Sequence, residues 1–447
     1  MKKIVFSILL IVFISCSNDK NSGEDMPAPV FLGEVDWIKN FGGTGEETAQ
    51  SVIVTSDGGY AVLGYTNSTD GDIVGKTTTV NDYWLLKLDA EGNLQWNKTY
   101  GGTKDDRGQS VIETLDGGYA IVGYAMSSDG DGSNNEGFHD NWILKLDASG
   151  VIEWERSFGF SGHDHSYDVL QTADGGFFFV GFVDVTASGG AGADTSKGNT
   201  RTRHGVGEFW GTKLDAQGNL EWRRFFGGTS NDRAYSVVQA NDDGFVLTGS
   251  SESNDFDISD NRGSYDFWVI KITDKGDLVW QSSFGGSGID KAWDIAKTND
   301  NGYVITGNTF STDTDISKNN GESDVWLIKI DDAGKMIWEK TYGGLQFDAA
   351  QSVSLTTDGG FIISGNSKSS DMDLEVNLGE NDLWLLKTNA EGTILWQNSF
   401  GGADLDYGFD AIEQLDKSII LVGETASTNF LDLQNKGKTD VVVIKIK

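Results

Sequence analysis

A tryptophan recurring seven times at a period near 58 residues, four strand-like runs in each period, and an unpaired run at each end of the chain predict one fold class. It is all-β: a seven-bladed β-propeller of four-stranded blades, the last blade closed by the N-terminal strand. The marker is Trp followed four residues later by an aromatic residue and a glycine, at Trp37, Trp96, Trp154, Trp222, Trp280, Trp338 and Trp396. In the first unit the strand-like runs are Ala49–Thr55, Tyr60–Thr66, Tyr83–Leu88 and Leu94–Tyr100. They are rich in Val, Ile, Leu, Trp and Tyr and bounded by Gly, Asp and Asn, as strands are. The chain finishes on a third-strand run, Val441 to Lys447, and the missing fourth strand, Gly33 to Asn40, stands at the opposite end. Joining the two closes the ring and hides both sheet edges.

The elements follow in order. Residues 1–15 carry Lys2 and Lys3, then an apolar run from Ile4 to Ile14, the layout of a secretory signal. The run is too short for a bilayer core of about 30 Å. Cys16 follows, the only cysteine of the chain, so disulfide frameworks, cysteine-based zinc sites and iron–sulfur clusters are excluded. Residues 16–32 are polar and acidic, hold both prolines, and read as a flexible tether. Residues 33–447 form the propeller. Asp57-Gly58-Gly59 and its copies join strands 1 and 2, and Asp89-Ala90-Glu91-Gly92 and its copies join strands 3 and 4. Both are hairpin turns, with Gly supplying positive φ and Asp bonding its own backbone. Two prolines in 447 residues suit a chain made of paired strands, because proline removes a ladder hydrogen bond. A formal charge of −34 argues against nucleic acid and anionic lipid as partners.

Phe13-Ile14-Ser15-Cys16 resembles a bacterial lipobox, with Phe13 where that family usually has Leu. The resemblance implies that Cys16 is lipidated and becomes the mature N-terminus. Ser17-Asn18-Asp19-Lys20 resembles the export signals of Bacteroidota surface lipoproteins. The FGG step, the Asp-Gly-Gly-Tyr hairpin, the Ser-x-Asp-x-Asp loop and the Asp-x-Trp-x-x-Lys strand resemble the seven-bladed repeats of secreted and lipid-anchored Bacteroidota proteins. That resemblance covers residues 33–447 and implies fold and export rather than activity. A weaker resemblance, carried by Leu88-Asp89-Ala90-Glu91-Gly92 and Trp96, is to quinoprotein dehydrogenases and outer-membrane assembly lipoproteins, although their Thr-Gly-Lys is absent here.

Several repeated residues bear chemistry. With strand 1 innermost, one face collects an acid from every blade: Glu47, Asp106, Asp164, Asp232, Asp290, Asp348 and Asp406. Four are followed by Arg107, His165, Arg233 or Lys291, which favours an acid that caps its loop and pairs locally. The third-strand lysines and tryptophans (Lys87 and Trp84 in the first blade) read as blade packing, each ammonium reaching an acid or water. The loops between strands 2 and 3 carry Asp70 and Asp72, Asp129 and Asp131, Asp255 and Asp257, Asp313 and Asp315, and Asp371 and Asp373. Oxygens at i and i+2 suit a hard cation such as calcium, and turn-forming Asp caps account for the same letters.

Function is expected where one copy departs from the others. Blade 3 is ten residues longer, and its 2→3 loop, Thr186 to Glu208, holds Lys197, Arg201, Arg203 and His204 in an acidic protein. All four histidines, His139, His163, His165 and His204, fall in blades 2 and 3. His163, Asp164 and His165 with Arg201, Arg203 and His204 are the candidates for an anionic ligand or a metal. A tolerated loop insertion with scattered histidines is the alternative. Tyr167, Tyr235, Trp293 and Phe409 at the head of strand 1, against Gln50, Gln109 and Gln351, offer stacking platforms for sugar rings or packing between blades. No catalytic triad, phosphate loop or HExxH pattern occurs, so no catalytic residue is assigned. The expectation is a monomeric, lipid-anchored outer-membrane or cell-surface module that binds a protein or glycan without chemistry. It needs no cofactor beyond, at most, calcium, touches the membrane only through its anchor and does not bind nucleic acid. The alternatives are a carbohydrate-active enzyme using loop-face carboxylates and an outer-membrane assembly scaffold.

Overall fold

A computed structural model describes residues 30–184, 207–431 and 433–447, so Cys16, Lys197, Arg201, Arg203 and His204 lie outside the described residues. The described residues form twenty-eight strands and no helix. They make seven four-stranded antiparallel sheets, each ordered as the chain runs. Blade 1 is β2 (Glu47–Val54), β3 (Tyr60–Thr66), β4 (Asp82–Leu88) and β5 (Leu94–Tyr100). Blade 7 is β26 (Asp406–Glu413), β27 (Ile419–Thr425), β28 (Asp440–Ile446) and, from the other end of the chain, β1 (Val35–Phe41). Phe41 pairs with Val441 and Trp37 with Lys445, so the ring is closed as the two end runs require.

Five blades bury the third strand completely, and the other two bury all of it but the lysine, Lys329 or Lys445. The strand-3 indoles, Trp84, Trp142, Trp210, Trp268, Trp326 and Trp384, are at most 1 % exposed. They reach the neighbouring blade: Tyr83 meets Trp142 edge-on at 4.9 Å and Phe267 lies 4.6 Å from Trp326. In most blades the indole N–H donates to the side chain thirteen residues on, as from Trp84 to Asn97 and from Trp268 to Gln281. Blade 3 has Arg223 at that place, which has no acceptor to offer, and the Trp210 N–H is left without a partner.

The hairpin turns have the expected chemistry. Gly58, Gly117, Gly175 and Gly359 sit at φ between 81° and 86°. Asp57 takes hydrogen bonds from Thr55 Oγ1 and Gly59 N, and the buried Lys87 ammonium closes on it at 2.9 Å. The lysines of the next four blades do the same with Asp116, Asp174, Asp242 and Asp300.

The innermost strands carry the feature that shapes the channel. Every first strand has a bulge, and the extra residue is Gln50, Gln109, Tyr167, Tyr235, Trp293, Gln351 or Phe409. A bulge re-aims side chains, and here these seven line the central channel. The next residues, Ser51, Ser110, Asp168, Ser236, Asp294, Ser352 and Asp410, line it one layer deeper. They stitch the blades in a closed belt. Ser110 donates to Asp168 at 3.0 Å, Val237 N to Asp168 at 3.0 Å, and Ser236 to Asp294 at 2.7 Å. Val353 N donates to Asp294 at 2.8 Å, Ser352 bonds Asp410, and Val52 N donates to Asp410 at 2.9 Å. Val111 N, 3.4 Å from Ser51 Oγ, completes the circuit.

Candidate functional site

The face bearing the 4→1 and 2→3 loops carries the seven repeated acids and the Asp-x-Asp pairs, and most of that chemistry is spent on the fold. The seven acids that open the first strands are at most 1 % exposed. Asp232 is representative: it accepts from Gly228 N at 2.8 Å, Ser251 Oγ at 2.5 Å and Ser253 Oγ at 2.8 Å. Each such acid staples its own glycine step to the start of the 2→3 loop. The basic residues that follow in sequence turn elsewhere: Arg107 pairs with Asp105 at 2.9 Å, and Arg233 donates to Asn231 at 3.1 Å.

The Asp-x-Asp residues have a similar employment. Asp70 caps Thr44 N at 2.8 Å, and Asp129, Asp255, Asp313 and Asp371 cap Thr103, Thr229, Ser287 and Leu345. Asp72, Asp131, Asp257, Asp315 and Asp373 accept from Gly42, Gly101, Gly227, Gly285 and Gly343. These carboxylates therefore brace backbone amides, the use that the Asp-cap reading describes.

What remains is confined to blades 2 to 5. Tyr167, Tyr235 and Trp293 form an arc across the channel mouth, with ring centroids 5.0 and 4.5 Å apart. With Phe409 and the three glutamines they line a cavity of about 140 Å³. This is room for one ring or one side chain, below the 300 Å³ or so of an ordinary small-molecule pocket. Two residues before the bulge in blades 2 to 5 stand Arg107, His165, Arg233 and Lys291. Arg107 lies 5.1 Å from the Tyr65 ring, Arg233 4.4 Å from Phe182 and Lys291 5.0 Å from Tyr265. Desolvation, then the neighbouring Arg233 charge, depress the Lys291 ammonium. So a chain of net charge −34 places an arginine, a histidine or a lysine at the same repeat position in four successive blades.

The histidines meet at the joint between blades 2 and 3. His139 immediately precedes β8 (Asp140–Leu146), and His163 lies opposite it in a parallel bridge. His165 opens β10 (His165–Gln171). Their Nδ1 atoms bring His139 and His163 within 3.0 Å, and one nitrogen from each of the three rings lies within 4.8 Å of the others. His165 stacks on Tyr124 at 3.8 Å and 11°, and His163 stacks on Phe138 at 5.0 Å. Burial, then the adjacent His139 and His163, push His165 down to about 2, so its imidazole is neutral. Asp105 stands 3.4 Å behind His139 Nε2. Its burial raises it, but the contact with His139, the hydrogen bond from Asn81 and the Arg107 charge hold it at about 2.

Asp164 sits apart from this cluster. Its carboxylate caps Phe160 N at 2.6 Å and Asp184 N at 2.8 Å, and burial pushes it up to about 7. His139 takes the third place that sequence proximity suggests for Asp164. The signal was present in the repeat: His139 and His163 each stand one residue before a repeated acid, as do the bridge partners Tyr265 and Ile289 or Ser323 and Phe347. Trp293 lies where a stacking platform would be, and also donates to Asn308 at 3.1 Å.

No family model matches the chain, and no curated protein matches it. Similar solved structures include the Pan2 WD40 domain of Neurospora crassa (10 % identity, TM-score 0.49, covering 93 % of this chain and 97 % of that one). A protein of unknown function from Bacteroides caccae has 9 % identity and a TM-score of 0.40, covering 75 % of this chain and 93 % of its own. The gluconolactonase XC5397 of Xanthomonas campestris has 8 % identity and a TM-score of 0.38, covering 95 % of this chain and 96 % of that one. Likeness at this level carries no argument about activity.

Proposed function

We propose that this protein is an exported, lipid-anchored β-propeller of the outer membrane or cell surface that binds an anionic protein or glycan ligand at the channel mouth of blades 2 to 5, without chemistry. The observation that carries the reading is the aromatic arc of Tyr167, Tyr235 and Trp293 with Arg233, which hydrogen-bonds Tyr235, and Lys291, whose ammonium feels the Arg233 charge. Flat rings offer stacking faces to a sugar or an aromatic side chain, and the cations supply charge to a carboxylate or sulfate. The repeated loop acids, the acid–base candidates of an enzymatic reading, are buried and committed to backbone amides and hydroxyls, which favours binding over hydrolysis. Export and anchoring rest on the leader and Cys16: Cys16→Ala should yield an unlipidated chain that leaves the membrane fraction, and unchanged fractionation without lipid label would refute the anchor.

The test of binding is a screen of residues 30–447 against uronic-acid oligosaccharides, neutral oligosaccharides and acidic peptides, with and without calcium. The expected outcome is binding of an acidic ligand that weakens with salt and falls at least about tenfold in Trp293→Ala or Arg233→Ala, the cost of about 1.4 kcal/mol. Preference for neutral ligands, or indifference to both substitutions, would overturn it.

A further inference from the structure

We infer that His139, His163 and His165 form a binding site for a single zinc-class divalent ion, with a fourth coordination position open to an anionic oxygen or nitrogen ligand. The inference stands independently of the ligand proposed for the channel mouth. Three imidazoles are the donor set of a zinc site that keeps an open position, whereas calcium takes oxygen ligands. The separation fits as well. Zn–N bonds of about 2.0–2.1 Å at tetrahedral angles place two nitrogens about 3.3 Å apart, and the Nδ1 atoms of His139 and His163 are 3.0 Å apart. That contact is a hydrogen bond, so seating an ion between them takes a small spread and transfer of the shared proton to the other ring nitrogen or to solvent; one nitrogen of His165 already lies within 4.8 Å of both.

The surroundings orient the rings as metal ligands are oriented. A ligating histidine usually gives its other nitrogen to a carboxylate or another polar group, which fixes the tautomer. Asp105 Oδ2 stands 3.4 Å from the buried His139 Nε2, close enough for its charge to favour the proton on that nitrogen although no hydrogen bond joins them in this geometry. Tyr167 OH stands 3.3 Å from His165 Nδ1, while His165 Nε2 is buried without a hydrogen-bond partner. Tyr124 and Phe138 stack against His165 and His163 and hold the rings in place. His163 is exposed, so an ion and its fourth ligand can enter from solvent. Arg107, ion-paired to Asp105, and Arg233, on the Phe182 ring that also packs against His165, bring positive charge to the same place. They favour an anion rather than a neutral group as the fourth ligand. The arrangement occurs once among the described residues; the corresponding joints pair Asn81 with Asp105, Gly207 with Asn231, and Asn381 with Leu405.

The experiment loads residues 30–447, stripped with chelator, with Zn²⁺ for stoichiometry and affinity and with Co²⁺ for its visible spectrum. The expected result is one ion per chain at moderate salt, the intense band of four-coordinate Co²⁺, and a change in that band when azide is added. His163→Ala, at an exposed position that leaves the sheet intact, should weaken Zn²⁺ binding at least a hundredfold. Asp105→Asn should weaken it about ten- to a hundredfold through the orientation of His139. Several weakly held ions that salt removes, or an affinity unchanged in His163→Ala, would overturn the site. A Co²⁺ band that ignores azide would overturn the open fourth position.

Discussion

At the scale of single residues, the same two charges matter in different ways at different depths. Lys387 and Glu413 form an ion pair whose side chains are 6 % and 0 % exposed, and Glu413 also accepts from Thr357 N at 2.7 Å. Lys329 pairs with Asp300, whose side chain is 57 % exposed. Removing one partner of a buried pair strands a charge and costs about 3–5 kcal/mol, whereas an exposed pair contributes about 0–1 kcal/mol. Lys387→Met should therefore lower unfolding stability by about 3 kcal/mol and Lys329→Met by about 1 kcal/mol or less. Denaturant titration of the two variants checks this, and equal losses would mean that depth is not what separates them. The third-strand lysines are legible in the sequence as stems between blades with an acid within reach, because the Asp of the hairpin stands at a fixed repeat distance. Which pair is buried is not legible, since Glu413 and Asp300 come from different places in their blades.

At the scale of elements, the account rests on the closing strand and the bulge. Richness in strand-forming residues bounded by Gly and Asp predicts Ala49–Thr55, and the strand runs from Glu47 to Val54 with Gln50 inserted between the paired Ala49 and Ser51. An inserted residue leaves no mark on local composition, so the channel lining, and with it the arc of Tyr167, Tyr235 and Trp293, was not legible as a lining. The room for the bulge is visible only afterwards: a Cβ on Gly64 would stand 1.8 Å from Thr48 O. The closure was legible, because the unpaired runs at the two ends complement one another. Deleting residues 33–40 removes most of β1 and exposes the edge of β28. The expected result is aggregation or a fall in melting temperature of about 10 °C. A deletion variant that melts like the parent would contradict the closure.

At the scale of the whole molecule, charge and burial combine into a pH dependence. Burial pushes Asp140, Asp324, Asp382 and Asp410 up to about 6 and Asp266, Asp294 and Glu424 up to about 7. Unfolded carboxyls titrate near 4, at about 3.9 for Asp and 4.3 for Glu. The folded state thus holds protons that the unfolded chain has released, and the associated stability, full below about pH 4, is lost as pH rises through about 6–7. Opposing this, Asp57, Asp116 and Asp174 are raised by burial but held at about 2 by their threonine and lysine hydrogen bonds. Their contribution is present above about pH 4 and lost toward pH 2, and more than half of each side chain is exposed, so it is the smaller. The melting temperature should peak near about pH 4–5 and decline toward pH 8; a steady rise to pH 8 would contradict the direction of these shifts.

The ring is seven times the same structure, but the channel mouth has three successive aromatic residues on one arc and three glutamines with Phe409 on the other. The proposed ligand binds at the first arc alone. The most direct measurement is the affinity for the acidic ligand found in the screen, compared between two pairs of variants: Tyr235→Ala and Trp293→Ala against Gln50→Ala and Gln351→Ala. The predicted result is at least a tenfold loss in the first pair and an unchanged affinity in the second. Equal losses in both pairs, or a loss confined to the glutamines, would contradict it.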